Sequence, residues 1–106
     1  MNDEEKRRRL LQFLDKKAFE PILRRSADDY PGEKKKRFED VKRSTESERE
    51  RFHRKYRSAA EVKENYLSDL NSKTAKKKNA ELEDLGLPRL PEFREEFLDL
   101  CNELQV

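Results

Sequence analysis

The chain has one cysteine, one histidine and two glycines in 106 residues, and each scarcity removes a class of protein. A lone Cys101 cannot close an internal disulfide, so no cross-linked framework supports the fold. Two glycines, Gly32 and Gly86, are too few for a loop that cradles phosphate. Glu50 and His53 stand at the Glu-x-x-His spacing of carboxylate-bridged di-iron bundles. Such a site needs that pair twice, with two further glutamates, and a single histidine cannot supply it. No apolar run approaches the roughly 18 residues of a bilayer-spanning helix. The opening MNDEEKRRRLLQFLDKK begins with acids and lacks the apolar stretch of a secretory signal, so the expected location is cytoplasmic.

What remains is charge. Charged residues make up 47% of the chain against 32% apolar, where about 25% charged is usual. Leu, Ile, Val and Phe together reach 22%, just above the roughly 20% associated with disorder when net charge is high, and the net charge is only +2. The expectation is one folded domain with a small core and stability near the low end of about 5–15 kcal/mol. Apolar spacing is helical throughout, with no internal repeat and no β-type alternation. The fold class is all-α: a small bundle of about five helices.

The clearest local signals lie in Leu82–Leu104, the densest apolar stretch. Gly86 follows Leu82 and Leu85 at the position where a left-handed residue closes a helix, which pairs Leu82 with Leu87 in a Schellman stop. Pro88 blocks continuation, and Pro91 suits the first turn of the next helix. Phe93, Phe97, Leu100 and Leu104 then form a stripe, widened by Leu98 and Cys101. Glu92, Glu95 and Glu96 favour that helix's positive end. Upstream, Ser58 and Glu61 read as a capping box, with Ala59, Val62, Tyr66 and Leu70 as the buried line. Asn71 and Ser72 separate that helix from one carrying Ala75, Leu82 and Leu85. Residues 58–106 thus read as a three-helix core.

Residues 1–32 read as a helical arm capped by Asn2 or Asp3, with Leu11, Leu14, Ala18 and Ile22 on one face. Pro21 predicts a kink or break near Glu20. Tyr30, Pro31 and Gly32 suit a type II turn with glycine in its second central position. Residues 33–57 are almost all charge around Phe38, Val41, Phe52 and Tyr56, and Thr45 with Glu48 offers a possible second start. The segment reads as one wet helix or two.

For chemistry, Cys101 sits on an apolar face with nothing basic near it in sequence, the setting of an inert packing thiol. No catalytic constellation, metal site or cofactor motif emerges. Residues 1–57 carry a net +6 and residues 58–106 a net −4. Lys34, Lys35, Lys36, Arg37, Arg51 and Arg54 are the candidate contacts for a partner or for nucleic acid. Acids interspersed at nearly every turn favour the plainer reading, a solvated surface. The expected function is a non-enzymatic helical interaction or structural module that acts through an unknown protein partner or by self-association, without a membrane. The alternative is a nucleic-acid-associated accessory protein using the basic N-terminal half. The core is expected among the apolar residues after Ser58, with the upstream helix left wet.

Overall fold

Asn2 opens the first helix by accepting a hydrogen bond from the Glu5 N–H at 2.8 Å. In the computed structural model, which describes residues 1–106, the following helix α1 spans Asp3–Leu14. It does not break at Pro21. A π-helical turn, Asp15–Phe19, follows directly, and the Glu20 N–H reaches back five residues to the Asp15 carbonyl. Helix α2 (Glu20–Leu23) continues with Pro21 in its first turn. The physical reason is the proline itself, which has no N–H and whose ring collides with the carbonyl four residues earlier. One over-wide turn just before it turns an interior proline into a first-turn proline.

The next turn departs from the sequence expectation. Gly32 has φ +56° and ψ −128°, and the Lys34 N–H donates to the Pro31 carbonyl at 3.2 Å. Glycine therefore occupies the first central position of a type II′ turn, which begins one residue later than the expected type II turn. Helix α3 (Glu33–Arg54) then runs unbroken for 22 residues. Thr45 caps nothing: it is fully buried, and its Oγ1 donates to the Val41 carbonyl at 2.8 Å.

Helices α4 (Ala59–Leu70) and α5 (Lys73–Asp84) begin as expected, with Ser58 Oγ accepting from Glu61 N–H and Ser72 Oγ from Ala75 N–H. Helix α5 ends in the full Schellman pair. The Leu87 N–H reaches the Leu82 carbonyl at 2.8 Å, the Gly86 N–H reaches that of Glu83 at 3.1 Å, and Gly86 has φ +69°. A 3-10 turn at Leu90–Phe93, started by Pro91, leads into α6 (Arg94–Leu104). Counting α1 to α2 as one rod gives five helical bodies; with the two 3-10 turns, helical conformation covers 80% of the chain, and there is no strand.

The core is not confined to the last three helices. The larger apolar cluster takes Leu10, Leu11, Leu14, Ala18 and Phe19 from the first rod and Phe52 and Tyr56 from the charged segment. Ala59, Val62 and Tyr66 of α4, and Phe97, Cys101 and Leu104 of α6, complete it. A second cluster joins Ile22 with Phe38 and Val41 of α3 and Leu82, Leu85 and Leu87 around the end of α5. The wider core has a simple cause. Helix α4 and α6 have too little apolar surface to close on each other, and α1 lies along α4 and against α6 to complete the burial. The outcome is an elongated body, 48 × 21 × 19 Å, whose radius of gyration of 14.3 Å exceeds the roughly 13 Å of a rounder chain this long.

Helix α6 ends with the same pattern as α5 but without glycine. Val106 N–H bonds the Cys101 carbonyl, Gln105 N–H that of Asn102, and Gln105 sits at φ +59°. Nothing lies within 4 Å of a Cβ built on Gly86, so a side chain there meets only backbone strain. Gly86→Ala is expected to cost about 1–2 kcal/mol and Gln105→Gly to gain up to about 1 kcal/mol. Denaturant midpoints at unchanged slope check both signs.

Candidate functional site

Helix α3 is the hub of the polar surface because its charges leave on three sides. Lys35 pairs with Asp28 at 3.0 Å, Arg37 with Asp84 of α5 at 2.7 Å, and Arg51 with Asp69 of α4 at 2.6 Å. Arg54 pairs with Glu50 of its own helix at 2.9 Å. Of the six candidate contact residues, only Lys34 and Lys36 have no acidic partner. All six are exposed, but they do not gather on one face. The Asp28 hydrogen bond and charge raise the pKa of Lys35 above the ordinary lysine value.

A groove of about 630 Å³ lies between α3 and α5. Its wall includes Asp40, Ser44, Ser47, Thr74, Lys77 and Glu81, with Val41, Ala75 and Leu90 as its apolar members. Four alternating charges run along it. Glu48 bonds Lys78 with both side chains less than one-fifth exposed, and Arg51 bonds Asp69 beside them. Burial raises the Asp69 pKa, Arg51 opposes that rise, and Glu48 adds to it. Beneath, the Tyr66 hydroxyl donates to the Leu90 carbonyl at 3.5 Å. Its pKa is driven well up by burial and then by Glu48, so it stays a neutral donor.

The Glu50–His53 pair does not converge. Glu50 turns to Arg54, while His53 Nε2 lies 2.9 Å from both carboxylate oxygens of Asp15. Arg49 Nε holds the same carboxylate at 3.1 Å. Asp15 opens the π turn, so this clasp fixes the irregular turn against α3. Glu96, Asp99 and Glu103 remain exposed on α6, and Lys17 meets Glu96 at 3.4 Å.

Two residues of α1 do work that the sequence reading missed. Arg7 Nε and Nη2 donate to the carbonyls of Tyr56 and His53 at 2.6 and 2.7 Å, occupying acceptors left free at the end of α3. Asp3 Oδ1 accepts from the Ala59 N–H at the start of α4, at 3.4 Å. Each charge has the sign that the neighbouring helix end favours. The signal was available: Arg7 precedes Leu10, Leu11 and Leu14 by three, four and seven residues, on their face.

Cys101 is completely buried, and burial raises its thiol pKa, partly opposed by Lys63. That is the reverse of a poised nucleophile. No family model matches the chain, nor does any curated protein or solved structure.

Because the folded state disfavours the Cys101 thiolate, its contribution is present below the unfolded thiol pKa, about 8.5, and lost as pH rises toward the raised folded value. Wild type is expected to lose more stability than Cys101→Ala between neutral and mildly alkaline pH, and an aromatic disulfide reagent should label the thiol only at the rate of opening. The ion pairs separate by burial. A double-mutant cycle on Glu48 and Lys78 is expected to return a coupling of about 1–2 kcal/mol. The same cycle on the exposed pair Glu50 and Arg54 should return about 0.3–0.5 kcal/mol.

Proposed function

We propose that this chain is a non-enzymatic helical interaction module of the cytoplasm that binds a protein partner through the polar groove between α3 and α5. One observation carries the reading. The groove between α3 and α5 is a concavity of about 630 Å³ lined mostly by polar side chains, and with Met1 the only large apolar side chain left exposed no oily patch competes with it. Three apolar members among fourteen is a poor lining for a small molecule, whose sites are mostly apolar. Hydroxyls of Ser44, Ser47 and Thr74, with the charges of Asp40, Lys77 and Glu81, suit a charged helical segment of another protein. The non-enzymatic part is supported by the buried Cys101 thiol and by His53, which is spent on Asp15. No helix is long and apolar enough to cross a membrane.

The first rod's apolar face, which a second copy could otherwise have covered, lies inside the larger cluster, so self-association is the less favoured mode. The nucleic-acid alternative is weakened by the acidic partners of Lys35, Arg37, Arg51 and Arg54. A nuclease-treated pull-down with Ser44→Arg and Ser47→Arg variants tests the reading. A protein that binds wild type, is lost with the groove variants and is kept by a control at Glu103 is the expected result. Capture indifferent to the groove would overturn it. So would steeply salt-dependent nucleic-acid binding that falls on reversing Lys34–Arg37 but not Lys76–Lys78.

A further inference from the structure

We infer that α5 and its stop, residues 73–87, form a strap that opens as a unit while the remaining helices stay folded. The apolar interior is split. Leu82, Leu85 and Leu87 of the strap belong to the smaller cluster, with Ile22, Phe38 and Val41, and no strap residue belongs to the larger one. The two clusters follow each other along α3, from Val41 to Phe52, about 16 Å of helix. Between them the inward line of α3 carries Thr45, whose hydroxyl turns back on its own helix, and then Glu48. Along α3, therefore, no buried apolar residue links the strap's cluster to the larger one.

What fastens the strap to α3 beyond those leucines is ionic. Lys78 meets Glu48, and Asp84 meets Arg37 with both side chains about half exposed. The Tyr30 hydroxyl donates to the Leu85 carbonyl at 3.1 Å, and Asn79 Oδ1 accepts from the Leu90 N–H at 2.9 Å. Short connections bound the strap on both sides: Asn71–Ser72 before it, and the segment led by Pro88 after it. Opening free energy follows the apolar area that a unit buries, so the element resting on the smaller cluster opens first. Salt screens the exposed Arg37–Asp84 pair, and this adds an ionic-strength dependence. Opening uncovers Ile22, Phe38 and Val41 and leaves the contacts among α1, α4 and α6 unchanged.

Native-state hydrogen exchange on the full chain decides it. In wild type the slow amides of α5 are expected to share one opening, faster than that of α1, α4 and α6, and added salt should accelerate α5 alone. Leu82→Ala should speed α5 exchange roughly 30-fold or more, with α1, α4 and α6 unmoved. Arg37→Glu is a gentler surface variant expected to give a smaller shift confined to the same amides. A single opening shared by all helices in wild type would overturn the inference. So would a Leu82→Ala chain that loses its whole fold or exchanges faster everywhere.

Discussion

Scarcity of apolar surface is the constraint on which this structure depends. With 22% of its residues drawn from Leu, Ile, Val and Phe, the chain cannot leave an oily helix face unpaired and still fold. The burial of α1 answers that constraint. Leu10 and Leu14 are completely enclosed, and a fully buried leucine contributes about 1.5–3 kcal/mol. They close the space that α4 and α6 leave between them, and Phe52 and Tyr56 seal it from the end of α3. Against a total stability of only about 5–15 kcal/mol, no other element can substitute for the first rod.

The π turn follows from the same constraint. The rod must present Leu10, Leu11 and Leu14 to the larger cluster and Ile22 to the smaller one, with Pro21 in between. Regular α-helix would place the proline ring against the Lys17 carbonyl. The wide turn removes that collision and still lays Ala18 and Phe19 inside. Its looser backbone is steadied from outside, where Arg49 and His53 both hold the Asp15 carboxylate. A histidine that at first looks like half of a metal motif is thus a brace for an irregular helix.

Most features within about five residues were legible in the sequence, the turn at Gly32 excepted, and features that join distant residues were not. Asn2, Ser58 and Ser72 cap as their spacing requires, and Leu82, Gly86 and Leu87 form the stop their order predicts. Those are local hydrogen bonds set by residue type. The stripe on α1 gave the direction of burial but not its partner, because periodicity names a face and says nothing of what covers it. Thr45 misled for a related reason. Its capping potential with Glu48 is real in isolation, yet Phe38, Val41 and Phe52 continue the helix on both sides and draw it inside. The candidate site was legible only as a list of cations; the acids that engage them lie on other elements.

That last point bears on how the charge is used. A chain this rich in lysine and arginine invites a phosphate-binding reading, but charge has to be counted after folding. Arg7 is spent on the carbonyl end of α3, Arg49 on Asp15, Lys78 on Glu48 and Arg51 on Asp69. Individually the exposed pairs contribute little, since most surface ion pairs are worth under about 1 kcal/mol. Glu48 with Lys78, the better-buried pair, matters more, because it sits where the two apolar clusters fail to meet. There a hydrophobic seam would need side chains that this sequence does not have. Glu48 with Lys78 and Arg51 with Asp69 fill that gap with a polar seam, and the groove between α3 and α5 follows its line.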